Sequence, residues 1–294
     1  MQNAAFTKEE SLGQVWNRKN CGDTIKNVTG TADERRPERN WSGFRLGGKV
    51  MAGFFSRLKQ RTGSDHPYCT AVVAAAGSAQ RMNGIDKVLA ELGGVPVLAR
   101  TLLALERCEK IDEIVIVTRS DLCVPVGKLC RTFFIDKAKS VVQGGNTRVE
   151  SVRLGLNAMS EHTELAAIHD GARPFVSPEL LERVLLAAVE TGAAAPAVPV
   201  KDTIKRAEQG VVTETVDRST LYAVQTPQVF QAGFISAALY SCIQDGIEVT
   251  DDCSAAERLG KQVTLVEGEY ENIKITTPVD LAIGEAILQW QEQI

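Results

Sequence analysis

From Tyr68 onward, short apolar runs rich in β-branched residues alternate with stretches of helical period. The runs predict strands over residues 70–76, 113–118, 140–143, 166–169, 194–200, 262–267 and 272–276. The stretches between them predict helices over 96–107, 147–160, 178–191, 232–244, 251–259 and 278–291. Strands that are apolar on both faces and alternate with helices belong to a mostly parallel sheet flanked by helices, so the expected class is α/β and Rossmann-like. In such sheets ligands bind beyond the carboxyl ends of the strands, and candidate chemistry is sought there.

Two segments break the alternation. Residues 1–66 are polar and without sustained period, and are expected to be an N-terminal extension to a main domain spanning 67–294. Disorder is expected there. An alternative is that the natural start is Met51, because codons for Gly47-Gly48-Lys49-Val50 can spell a purine-rich ribosome-binding sequence. Within the extension, Val50 to Lys59 has the pattern of a short basic amphipathic helix, which we read as a solvated tail with no membrane contact expected. Residues 201–225 are also polar, with β-prone pieces 203–206 and 211–216 around Glu208-Gln209-Gly210. These features predict a protruding β-arm, and an arm that cannot bury itself favours a homodimer.

Composition narrows the class. With 294 residues, 44% hydrophobic and 24% charged, the chain can bury a full core. A net charge of −4 is too mild to argue for nucleic acid as partner. The charge is uneven: residues 1–64 carry about 12 Lys/Arg against about 6 Asp/Glu, so the rest is acidic. Seven cysteines without a C-x-x-C pair predict reduced thiols and a cytoplasmic location. Three histidines make a histidine-rich metal site an unsuitable expectation.

Four places carry chemistry. The first predicted strand runs into Ala75-Ala76-Gly77-Ser78-Ala79-Gln80-Arg81, followed by Asp86-Lys87. Small residues let backbone N–H groups approach phosphate oxygens, and Arg81 and Lys87 add positive charge. A strand ending in His169-Asp170-Gly171-Ala172-Arg173-Pro174 offers Asp170 as a ligand for Mg²⁺ that also touches substrate phosphates. On this strand His169 reads as a packed residue, and Arg173 as a partner able to pin the Asp170 loop. Gly144-Gly145 ahead of a helix can read a base through its backbone, with Ser151 adding a hydroxyl, while Asn146 or Thr147 caps the helix. Lys274, between Ile273 and Ile275, points away from their face, toward a site or into water.

In order, the motifs A-A-A-G, R-M, K, G-G-x-x-R, H-D-G-A-R-P, V-P-V-K-D-T-I-K, T-V-D-R, T-P-Q-V-F, T-D-D and N-I-K-I-T resemble those of the methylerythritol phosphate cytidylyltransferases over residues 69–290. The resemblance implies a fold of the nucleotide-diphospho-sugar transferase type and a CTP-dependent, Mg²⁺-requiring transfer to a small sugar-alcohol phosphate. It implies nucleotide contacts at Ala75, Ala76, Gly77, Gly145, Ser151 and Ala172, catalytic cations at Arg81, Lys87 and Lys274, and metal at Asp170. It places Thr203, Arg218, Thr250 and Glu271 at or beside the sugar phosphate, with Thr203 and Arg218 reaching over from the partner's arm. The chain departs from the family pattern at Asp86-Lys87-Val88, where Pro-Lys-Gln is usual, and Asp86 there is able to pair with Lys87 and blunt its charge. A ribitol phosphate cytidylyltransferase and a non-catalytic nucleotide-binding dimer are the competing readings.

Overall fold

The structure, a computed structural model, describes residues 15–17, 66–77, 86 and 88–293. The predicted disorder of 1–66, the amphipathic segment from Val50 to Lys59 and the question of Met51 therefore fall outside the described residues, except for one strand. That strand, β1 (Val15–Asn17), pairs antiparallel with a sheet edge.

The sheet is built on β2 (Cys69–Ala75), β5 (Glu113–Thr118), β6 (Ala138–Gln143) and β7 (Leu165–Asp170), all parallel. A two-residue pair, β3 (Glu91–Leu92) and β4 (Val95–Pro96), lies apart from it. Beyond β7 come β12 (Gln228–Gln231), β8 (Ala193–Pro199), β11 (Tyr222–Val224) and β13 (Thr264–Glu267). The order is β1-β6-β5-β2-β7-β12-β8-β11, with β13 parallel to β8 and β12 antiparallel to both neighbours. The chain runs outward from β2 through β5 to β6, then returns to β7 on the other side of β2. The carboxyl ends of β2 and β7 thus flank the point where strand order reverses, the place where α/β sheets bind ligands.

Helices cover both faces. One face packs α1 (Val97–Arg107), α2 (Cys123–Thr132) and α4 (Pro178–Thr191) on the sheet through residues such as Leu102, Val126 and Leu181. The other packs α3 (Arg148–Asn157), α5 (Ala232–Gln244) and α6 (Asp252–Arg258) through Val152, Ile235 and Ala255. Gly155 lets α3 sit close: a Cβ there would stand 2.5 Å from Val72 Cγ1 and 2.6 Å from Val117 Cγ2. The last helix, α7 (Pro278–Gln291), closes a small cluster of Leu92, Val97, Ala172, Phe175 and Ile275.

Several expectations are corrected. Residues 272–276 form no strand. Asn272 is buried with its amide spent on Thr226 O, Ile275 is anchored by one backbone bond to Ala172 O, and Pro278 starts α7 directly after. α2 is absent from the sequence expectations; it holds Pro125 in its first turn, where the missing N–H costs nothing. Strands β11 and β12 were also missed, being short and separated by Pro227. The expected hairpin is present, β9 (Lys205–Glu208) antiparallel to β10 (Val211–Thr215) and exposed throughout, but the arm is shorter than 201–225, because residues 222–224 rejoin the main sheet as β11 against β8. Among the described residues these two strands pair only with each other.

Candidate active site

A cavity of about 290 Å³ opens at the carboxyl ends of β2 and β7, lined by Ala75, Ala76, Gly77, Gly145, Ser151, Asp170, Ala172 and Lys274 among others. Every one of these was a candidate from sequence. Arg81 and Lys87 lie outside the described residues. Thr203, Arg218, Thr250 and Glu271 do not line this chain's cavity. Thr203 and Arg218 are exposed beside the arm, and the Arg218 guanidinium donates to Lys201 O. Thr250 is exposed just ahead of α6, its hydroxyl 3.2 Å from that of Ser254.

The glycine wall is set by local capping. Thr147 caps α3, accepting from Glu150 N–H while the Glu150 carboxylate reaches back to Thr147 N–H, and also to Asn146 N–H at 2.7 Å. Ser151 Oγ accepts from Gly145 N–H at 3.1 Å and donates to Thr147 O at 2.8 Å, so its hydroxyl orders the turn that faces the cavity. A Cβ at Gly144 would meet Ala76 Cβ at 2.7 Å, which explains why glycine stands where the wall touches β2's loop.

Opposite lies the carboxylate. Asp170 Oδ2 is 2.8 Å from Lys274 Nζ and 3.4 Å from Arg173 Nε. Burial alone would disfavour the charged form, but Lys274, Arg173 and the more distant Arg148 overcome it and hold the carboxyl down at about 2. Both cations meet Oδ2, which among the described residues leaves Oδ1 unengaged. Lys274 therefore faces the site, and Arg173 pins the loop, as it also donates to Asn272 O at 2.7 Å.

Behind Asp170 runs a closed relay that sequence reading did not find. His169 is fully buried, and burial pushes its imidazole down to about 4, so it is neutral. Arg173 O can only accept, so the His169 Nε2–H donates to it at 3.2 Å and Nδ1 accepts from the Thr226 hydroxyl at 3.0 Å. The same Thr226 oxygen accepts from Asp170 N–H at 3.0 Å. The histidine is the packed residue expected, and Thr226 is the link between it and the carboxylate loop. Thr226→Val leaves two buried polar groups unpaired, so we expect a loss of roughly 2 kcal/mol in denaturant unfolding and about tenfold lower turnover. Thr226→Ser, which keeps the hydroxyl, is expected to behave as wild type in both assays.

Arg148 and Asp252 were not singled out from sequence, although they lie in the G-G-x-x-R and T-D-D motifs. They form a two-pronged pair at 2.9 and 2.6 Å, with Asp252 fully buried, that ties the start of α3 to α6. Arg148 lines the cavity and stays charged: burial opposes its charge, and Asp252 outweighs burial. Asp86, set against Lys87 in the sequence reading, pairs with Arg119 at 2.6 Å, and Lys87 lies outside the described residues.

A backbone cradle at the switch point of a parallel sheet, facing an ionised aspartate and a lysine, defines an α/β nucleotidyltransferase. Residues 69–290 match the family described as IspD, 2-C-methyl-D-erythritol 4-phosphate cytidylyltransferase. A curated relative of that name from Geobacillus kaustophilus is 48% identical over 219 residues, covering 74% of this chain and 96% of the relative. The crystal structure of 4-diphosphocytidyl-2C-methyl-D-erythritol synthase from Anaerococcus prevotii is similar with a TM-score of 0.68 and 36% identity, covering 76% of this chain and 96% of its own. That of the cytidylyltransferase from Thermus thermophilus is similar with a TM-score of 0.63 and 35% identity, covering 74% and 98%. The chain belongs to the 2-C-methyl-D-erythritol 4-phosphate cytidylyltransferase family.

Proposed function

We propose that this chain transfers the cytidylyl group of CTP to 2-C-methyl-D-erythritol 4-phosphate, releasing pyrophosphate, in the non-mevalonate isoprenoid pathway. The observation that carries this reading is the Asp170–Lys274 pair at 2.8 Å, aimed into a cavity walled by glycine and alanine backbone, in a member of that family.

The chemistry follows from charge. A phosphate oxygen of the sugar phosphate attacks the α-phosphorus of CTP. The new P–O bond forms as the bond to the bridging oxygen of the β-phosphate breaks, and pyrophosphate leaves with that electron pair. The nucleophile is already anionic, so positioning and charge stabilisation supply the rate without a strong general base. The cradle from Ala75 to Gly77 receives phosphate, the Gly145 turn faces the base, and Lys274 with Arg81 and Lys87 offsets the charge that builds on the equatorial oxygens. Asp170 fits Mg²⁺: one ionised carboxylate with a free oxygen suits an ion whose remaining ligands are phosphates and water. When bound there, the ion supplies Lewis-acid stabilisation of phosphate oxygens.

The rest of the site comes from a second copy. Thr203 and Arg218 stand on an arm whose strands pair only with each other among the described residues, and whose Val211 and Val212 are 69% and 56% exposed. A two-stranded hairpin of this kind is marginal in water alone, so a partner's surface is its natural support. The six described cysteines are buried, in keeping with the reduced thiols of a cytoplasmic enzyme. Among the described residues no helix is long and apolar enough to cross a membrane.

A pyrophosphate-release assay crossing the four nucleoside triphosphates with methylerythritol phosphate and ribitol phosphate tests the reading. Release only with CTP and methylerythritol phosphate is expected, and preference for ribitol phosphate would replace the substrate. In the same assay Lys87→Ala is expected to lower turnover about a hundredfold, the scale of one charge-stabilising donor. Near-normal turnover would remove Lys87 from the mechanism.

A further inference from the structure

Asp86 places a carboxylate close to a cavity built for a polyanion. Its Oδ1 accepts from Val88 N–H at 3.3 Å and its carbonyl accepts from Leu89 and Ala90 N–H at 3.0 and 2.8 Å, so the residue is fixed on the turn that carries Val88 into the cavity wall. Lys87 stands between the two in the chain. Left alone, such a carboxylate would repel a triphosphate and draw the neighbouring ammonium to itself.

Arg119 gives this carboxylate a cation of its own. It directly follows β5, whose last residue, Thr118, donates through its hydroxyl to Ala75 O at 3.4 Å, so Arg119 emerges at the same sheet edge as the cradle. From there its guanidinium reaches Asp86 Oδ2 at 2.6 Å, and among the described residues that oxygen has no hydrogen-bond partner besides this ion pair. Asp121, at 3.0 and 3.1 Å, holds the guanidinium from the other side. Asp86 is only 14% exposed as a side chain, so solvent screens it weakly and a fixed counter-charge has effect.

We propose that Arg119 is a charge-neutralising, positioning residue for the nucleotide site: it occupies the Asp86 carboxylate and so leaves the cavity's positive charge to the triphosphate. The inference rests on the proposed nucleotide reading of the cavity, and it makes Asp86 the antagonist that Arg119 silences.

The test uses Arg119→Gln, Asp86→Asn and the double variant of the full chain. Arg119→Gln is expected to raise KM for CTP and lower kcat/KM about tenfold, with the defect shrinking as salt is added. Asp86→Asn is expected to stay within about threefold of wild type, and to restore the Arg119→Gln background to that level. A pair acting as a mere structural staple predicts the reverse, with both single variants impaired and no rescue in the double. That result, or an Arg119→Gln variant with normal kinetics, overturns the proposal. Arg119→Lys keeps the charge and is expected to retain kcat/KM, and it serves if Arg119→Gln proves unstable. Calorimetric affinity for inorganic triphosphate across the same variants is expected to follow the same order. It separates the two ideas: a wild type that binds triphosphate in this pattern but releases no pyrophosphate overturns the proposed function alone.

Discussion

Asp170→Asn is expected to lower kcat/KM for pyrophosphate release by about a thousandfold while the chain remains folded. The carboxamide fills the same space but carries no charge, and it presents an NH₂ where Lys274 and Arg173 now find an acceptor at 2.8 and 3.4 Å. Two neighbouring cations then lose their shared counter-ion, and the ligand proposed for Mg²⁺ is gone. The cost in stability has a predictable sign. The Asp170 carboxyl is held at about 2 in the folded chain, against an ordinary 3.8, so its ionised form favours the native state above pH 4. That contribution, roughly 2 kcal/mol, is lost as pH falls from about 4 through about 2. Buried neutral His169, lowered to about 4 from 6.5, adds a separate loss of stability as pH falls through that higher window. Denaturant unfolding at pH 7 and pH 3 should therefore find the variant weaker than wild type at pH 7, with the gap narrowing at pH 3. Turnover within tenfold of wild type would remove Asp170 from the centre of the site.

The strands and helices that the chain spells by period were legible, because both faces of the sheet are covered and the strands read as unbroken apolar runs. The ends of α4, α5 and α7 agree with the sequence reading, and α4 and α7 start on local signals, Ser177 capping ahead of Pro178 and Thr277 capping ahead of Pro278. Strand β12 carried no such signal: four residues after Pro227 acquire a partner on each side only when β7 and β8 are already in place. The site showed the same division. Backbone cradles and the Asp170 acid announce themselves through small residues at strand ends. Thr226, Asn272 and Asp252 do not, since each matters through a partner distant in sequence: His169 lies 57 residues from Thr226, and Arg148 lies 104 from Asp252. The family resemblance supplied the cavity residues, and it could not supply Arg119, which answers an aspartate where the family usually has proline.

Mixing two inactive variants should restore activity, and this tests whether the arm serves a partner. Arg218→Ala alone is expected to lower kcat/KM about a thousandfold, since the cation proposed to meet the substrate phosphate is lost from each site. Arg218 does not line its own chain's cavity, and its guanidinium is held by Lys201 O at the base of the arm. If it reaches across a dimer, each working site needs Asp170 from one chain and Arg218 from the other. In a heterodimer of Asp170→Asn and Arg218→Ala chains, one cavity combines both defects and the other combines neither. Random pairing of equal amounts makes half the dimers mixed, so about a quarter of the sites, and about a quarter of wild-type activity, should return. Co-expression with two affinity tags isolates the mixed dimer, where the figure should rise to about half. Were Arg218 to act within its own chain, each chain of the mixture would still lack one group and activity would stay at the level of the single variants.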